Sequence, residues 1–171
     1  MALPRKLKYL NLFNDGENYM GLVESLTLPK FTQKFEKYRG GGMPGAVDVS
    51  MGLDDGALDT EFEIGGTEAL LFKQLKATTV DGVQLRFAES IQRDDTGEVQ
   101  AVELVVRGRH KELDSGTHKQ GDSSTTKVSS TNSYAKLTIN GEVLYEVDLV
   151  NMVWIVDGVD LMEAHRAAIG L

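Results

Sequence analysis

Apolar and polar residues alternate with a period of two along much of the chain, most clearly between Val83 and Lys111. Val83, Leu85 and Phe87 interleave with Gln84, Arg86 and Ala88, which predicts a half-buried strand. Asp94-Asp95-Thr96-Gly97 then predicts a tight turn, because Asp bonds its own backbone and Gly accepts positive φ. The return strand over Val99–Lys111 puts Val102, Leu104 and Val106 on one face. The other face carries Glu103, Arg107, Arg109 and Lys111. Arms of about a dozen residues exceed the usual five or six. A hairpin that long outreaches a small core, so its far end is expected to pair with another subunit.

The same reading extends along the rest of the chain. Leu7–Phe13 alternates and ends at Asn14-Asp15-Gly16, a hairpin turn, and Glu17–Leu28 returns until Pro29 stops it. Lys30–Tyr38 predicts a third, exposed strand. Arg39–Ala46, rich in glycine and holding Pro44, predicts a loop that orders only against a neighbour. Val47–Gly52 is a short strand and Leu53–Gly56 a turn. In Ala57–Ile64, Asp59, Glu61 and Glu63 face away from Leu58, Phe62 and Ile64. Thr67–Thr78 predicts the main helix, capped by Thr67, with Leu71, Phe72 and Leu75 as its apolar face.

Leu113–Ser130 is almost wholly polar and predicts a mobile loop that doubles as a contact surface. Ser133–Ile139, the Asn140-Gly141 turn and a return over Glu142–Val156 form a third hairpin, with Glu142, Glu146 and Asp148 on one face. Asp157-Gly158 leads into a C-terminal helix over Asp160–Ile169, where Asp160 and Glu163 resemble a capping box.

Composition narrows the function more than the fold. The chain has 171 residues, 41% hydrophobic and 26% charged, which is enough for a real core. No apolar run approaches the length of a membrane span, and no unbroken apolar core marks a secretory signal. Cysteine is absent, which suits a protein made in the cytosol. A net charge of −8 argues against specific nucleic-acid binding, which favours basic surfaces. His110, His118 and His165 lack metal-ligand spacing. Counted from Asp54, the twelfth position of a calcium loop would be Gly65 rather than Glu. No nucleophile elbow, phosphate loop or dinucleotide fingerprint is present, so neither an enzyme nor a cofactor is expected.

Several segments together resemble the major tail tube proteins of contractile-tailed phages and the related tubes of R-type pyocins. They are Pro4-Arg5-Lys6-Leu7-Lys8, Leu28-Pro29-Lys30, Tyr38-Arg39-Gly40 and Gly52-Leu53-Asp54-Asp55. Further on come Gln92 to Glu98, Arg107-Gly108-Arg109 with Lys111-Glu112, His165-Arg166 and Ile169-Gly170-Leu171. The resemblance runs end to end, so it implies one tail-tube domain over residues 1–171. It implies a mainly β fold: a β-sandwich or barrel of long hairpins, one packing helix and a short C-terminal helix. It also implies that six copies close a ring, that rings stack helically, and that the tube is driven through a target envelope when the sheath contracts.

The implied partners are further copies of the chain, the tail sheath protein, the baseplate hub, the tail terminator and, during assembly, the tape measure protein. DNA would pass through only in a phage. The protein would reside in a virion tail or pyocin particle. The alternatives are the haemolysin-coregulated tube protein of type VI secretion, a baseplate hub protein, and a monomeric β-barrel carrier of a small ligand.

Three sets of residues follow as expected sites. Arg39, Gly40, Gly41, Gly42, Asp94, Asp95, Gly97, Arg107 and Arg109 are expected at subunit interfaces. Asp59, Glu61 and Glu63 are expected to line the pore, with Glu142, Glu146 and Asp148 as the alternative acidic row. Glu163, His165 and Arg166 are expected to touch the next ring or the sheath.

Overall fold

The computed structural model describes residues 1–171 and is built mainly from antiparallel strands. They are β1 (Lys6–Asn14), β2 (Glu17–Asn18), β3 (Val23–Thr27), β4 (Gln33–Tyr38), β5 (Val47–Leu53) and β6 (Thr60–Gly65). After a short α1 (Ala69–Lys73) and a 3-10 turn (Gln74–Lys76) come β7 (Val83–Gln92), β8 (Val99–Asp114) and β9 (Thr125–Ile139). The chain ends with β10 (Glu142–Asp148), β11 (Val153–Val156), β12 (Val159–Asp160) and α2 (Glu163–Ala168).

The main sheet runs β12-β11-β10-β9-β8-β7-β1-β2. It forks at β9. One edge of β9 pairs with β8 along its length. The other edge pairs with β6 from Thr125 to Ser130 and with β10 from Tyr134 to Ile139. β3 adds to the far edge of β6. The alternation read from the sequence holds here: Val83, Leu85, Phe87, Leu104 and Val106 are buried with Leu12, Leu58, Phe62 and Ile64. The Phe62 and Phe87 rings meet edge-on at 5.4 Å.

Five sequence expectations are corrected. First, Glu17–Leu28 is two strands, because the chain must leave the edge of β1 and join the edge of β6. Gly21, at φ +82°, lies in that crossing. Second, the helix is a single turn plus a 3-10 turn, with Glu68 rather than Thr67 at its N-cap. Leu71 is buried, but Phe72 and Leu75 are exposed, because Gln74 takes the inward position of the last turn. Third, Thr125–Ser130 belongs to a strand, so the polar connection shrinks to residues 115–124. Fourth, β10 and β11 are separate strands. The Asp148 carboxylate accepts from the Val150 and Asn151 amides and turns the chain between them. Fifth, Asp160 lies on β12 and forms no capping box with Glu163. Its carboxylate takes the Met162 amide and the Arg166 guanidinium.

The third correction has a clear cause. The first half of β9 alternates in burial although not in hydrophobicity. Thr126, Ser130 and Asn132 point inward and are satisfied there. Thr126 Oγ1 donates to Gly66 O at 2.7 Å, and Asn132 Nδ2 donates to Leu58 O at 2.8 Å and Thr60 Oγ1 at 3.1 Å. Buried polar groups with partners carry little penalty.

Ser130 opens a second buried network. Its hydroxyl lies 2.9 Å from His110 Nδ1, and His110 Nε2 lies 2.9 Å from Gln74 Oε1. Gln74 Nε2 donates to Asn14 Oδ1 at 2.6 Å, and Asn14 Nδ2 donates to Gln74 Oε1 at 3.0 Å. A neutral His110 with its proton on Nε2 satisfies every member, Nδ1 accepting from Ser130. The network joins β1, the 3-10 turn, β8 and β9.

Burial pushes the His110 pKa down to about 4, so the ring is neutral in the native state. An unfolded chain protonates it near pH 6.5. Its contribution is therefore fully present above pH 6.5 and is lost as pH falls towards 4. Denaturant melts of the dissociated subunit at pH 7 and pH 4.5 are expected to differ by about 2 kcal/mol. His110→Gln is expected to flatten that difference. An unchanged slope in this variant would remove His110 as its cause.

Candidate assembly surfaces

The β7–β8 hairpin does not present a bare end. β1 pairs with β7 from Lys6↔Gln92 to Asn14↔Leu85, so the partner expected from another subunit is supplied by the chain's own N-terminal strand. The N-terminal residues also hold the turn. Lys8 Nζ donates to Asp94 at 2.9 Å, the Leu3 amide donates to Asp95 at 3.2 Å, and Arg5 pairs with Glu98 at 3.7 Å. The hydrogen bond from Lys8 holds the Asp94 carboxyl below the usual range, and that from Arg93 does so for Asp95. The open edge has moved outward to β1, which β2 covers only at Phe13 and Asn14.

Gly97, at φ +71°, donates its amide to Arg93 O at 2.9 Å and has open space where a side chain would go. Gly97→Val therefore strains the backbone without a clash. It is expected to cost about 1–2 kcal/mol of stability and to leave the sheet folded. Assembly should suffer more than folding, read as melting temperature against sedimentation. A variant that assembles like the wild type would remove the turn from the interface.

β4 and β5 stand apart as a two-stranded ribbon with Arg39–Ala46 as its tip. Only its base is anchored: Phe31 packs on Tyr145 with ring centres 4.3 Å apart, and Leu53 packs against the core. Tyr38, Val47, Val49 and Met51 are exposed along it. Lys37 pairs with Asp48 at 3.0 Å, and Arg39 has no ion-pair partner within the chain. An isolated two-stranded ribbon is marginal in water, and one with an apolar face calls for a cover.

The acidic row is oriented as its alternation indicates. Asp59 precedes β6, while Glu61 and Glu63 lie on its outer face opposite buried Phe62 and Ile64. The register brings in two residues that the sequence reading left out. Thr27, Glu61, Ser129 and Glu112 line up across four strands, and so do Ser25, Glu63, Lys127 and Asp114. These residues wall a concavity of about 340 Å³. Lys127 is the one cation among them, 3.4 Å from Glu63. The sequence alternation alone would turn Glu112 and Asp114 inward with Val102, Leu104 and Val106. The register shift against β9 between His110 and Glu112 moves Leu113 inward instead and brings both carboxylates to this face.

The alternative row is engaged elsewhere. The Tyr134 hydroxyl donates to Glu146 at 2.9 Å, and the Arg107 guanidinium lies 4.0 Å from the centre of the Tyr134 ring. Arg86 pairs with Glu103 at 3.0 Å on the same sheet. Arg109 reaches Thr78 O at 3.4 Å. That face is of mixed charge, so Arg107 and Arg109 make their contacts at home.

At the C-terminus Arg166 is likewise held inside the chain, by Asp160 and by Met152 O at 2.7 Å. Glu163 and His165 on α2 are exposed, as are Leu161, Ile169 and Leu171 nearby.

These surfaces amount to a large excess. A compact monomer of 18.7 kDa exposes about 8,300 Å². This subunit exposes 10,905 Å², and only 24 of its 171 residues are buried. About 2,600 Å² beyond the compact value is the order of surface that stable permanent interfaces cover.

The chain is similar to known proteins in sequence and in fold. The profile of the family described as phage tail tube protein FII matches residues 4–170. The tail tube protein of Escherichia phage P2 is 51% identical over the full length of both chains. The major tail tube protein of Serratia phage KSP20 is 43% identical, over 94% of this chain and 92% of that one. Among solved structures, a chain of the anti-feeding prophage baseplate superposes with a TM-score of 0.55 at 10% identity. The superposition covers 81% of this chain and 97% of that one, and the likeness is one of fold.

Proposed function

This chain belongs to the phage tail tube protein FII family and is a structural component of a phage tail; from that premise we propose that six copies close a ring and that rings stack helically into the inner tube. The carrying observation is the excess of exposed surface, distributed over the ribbon, the β1 edge and the C-terminal segment. Residues 1–171 act as one tube domain. Open edges such as that of β1 pair between neighbours, which removes them from solvent and continues the sheet around the lumen. The protein carries no chemistry of its own and takes no cofactor. It is made in the bacterial cytoplasm and assembles with sheath, baseplate hub, terminator and tape measure proteins.

The face of Asp59, Glu61, Glu63, Glu112 and Asp114 suits the lumen. A wall of like charge repels a duplex over a Debye length, about 8 Å at physiological salt. Basic groups would instead hold phosphates by counterion release. The interior of the single subunit is filled by its own core, including Phe62, Phe87 and Leu104, so the small-ligand carrier reading gains no support.

Size-exclusion chromatography with negative-stain microscopy tests the reading. Hexameric rings or tubes are expected, with the acidic face on the lumen in a reconstruction. A subunit that stays monomeric at high concentration, with or without a baseplate template, would overturn the proposal.

A further inference from the structure

Glu89 sits where a core residue would be expected. The alternation that buries Leu85 and Phe87 carries Glu89 onto the same face of β7, in register with Leu10 on β1 and Val102 on β8. The packed core stops short of it. Glu89 borders a cavity of about 620 Å³ walled also by Leu10, Met20, Val23 and Val102; Arg86 at its rim is taken up by Glu103 at 3.0 Å and makes no ion pair with Glu89. Burial pushes its carboxyl up, and no cation of the chain offsets that burial. A half-buried carboxylate in an apolar groove, without a partner, is complementary to an apolar segment that carries a cation.

The ribbon is such a segment. Tyr38 pairs with Val47 and Glu36 with Val49, so Tyr38, Val47 and Val49 share one exposed face. Arg39 follows Tyr38 at the tip and is unpaired, whereas Lys37 is neutralised by Asp48. A projection on one side of a subunit and a matching groove elsewhere make a heterologous contact, the kind that builds rings and filaments from one chain.

We propose that the ribbon tip of one copy seats in the Glu89 groove of a neighbouring copy, with Arg39 against Glu89 and with Tyr38 and Val47 covering Leu10, Met20 and Val23. This rests on the tube reading, since it needs identical neighbours. Both charged groups are accessible in the free subunit, so either is open to substitution without entering the core.

A charge exchange tests it. Arg39→Glu and Glu89→Arg are each expected to raise the protein concentration needed for tube formation about ten-fold or more, as loss of one close charge pair implies. The double variant restores the pair in every interface and is expected to return to near the wild-type value. Should Glu89→Arg fail to fold, the chain's lack of cysteine supplies a second route. Tubes assembled from mixed Arg39→Cys and Glu89→Cys subunits are then treated with a short bismaleimide. Linked dimers are expected from the mixture and not from either variant alone. Wild-type tubes that form while the double exchange gives no rescue, or while the mixture gives no linked dimers, would overturn the ribbon-to-groove contact and leave the tube reading intact. A wild-type chain that never assembles would overturn both.

Discussion

Gly108→Ala is expected to prevent folding, or to cost about 4 kcal/mol or more, at the upper end for a single substitution. Gly108 lies in β8 where its register against β9 shifts, between Arg107 and Gly108. A methyl group there would stand 2.1 Å from Thr131 O, 2.5 Å from Asn132 Oδ1 and 2.6 Å from Asn132 Cα. Two of those atoms are backbone, so no rotamer change relieves the clash. Moving β9 away would also strain the bonds from Asn132 to Leu58 and Thr60, which tie β9 to the segment entering β6. Whole-domain stability is typically about 5–15 kcal/mol, so little would remain. Circular dichroism and thermal melting of the soluble fraction check this. A soluble variant with the wild-type melting temperature would mean that β8 and β9 are not held this closely.

Val49→Asp combined with Met51→Asp is expected to do the opposite: leave the fold alone and abolish the tube. Both side chains are already exposed in the free subunit, at 44% and 55%, so the monomer loses little. Covering two such side chains in an interface contributes about 3 kcal/mol, and two unpaired carboxylates in their place add a desolvation penalty. The concentration needed for assembly should rise about 100-fold or more. Unchanged melting with no tubes by sedimentation and microscopy is the expected pair of results. Normal tubes would show that this face of the ribbon stays in water.

The strands that the sequence announced are those in which one face is apolar. Val83, Leu85 and Phe87 needed no further information, and the Asp59, Glu61 and Glu63 face followed from Phe62 and Ile64. The turn dipeptides were equally legible. Asp15-Gly16, Asn140-Gly141 and Asp157-Gly158 all have positive φ at both positions, between 49° and 82°. The first half of β9 was not legible, because Thr126, Ser130 and Asn132 are buried by virtue of partners far along the chain. The helix was overestimated for a related reason, Gln74 being drawn inward by Asn14 and His110. The Arg107-Gly108-Arg109 segment stood out by resemblance, but its physical cause, the close approach of β9, is visible only in the fold. Of the expected interface residues, Asp94, Arg107 and Arg109 have partners far along the chain, of which local sequence holds no sign, while Asp95 pairs with Arg93 two residues away.

β9 is gripped along both edges, by β8 on one side and by β6 and β10 in turn on the other. Antiparallel ladder bonds run perpendicular to the strands. A thrust directed along β9 therefore loads them in shear and must break many together. The β4–β5 ribbon, held only at its base, would peel one pair at a time if pulled from its tip. Under mechanical stress the subunits should slip apart at their joints well before any one of them tears.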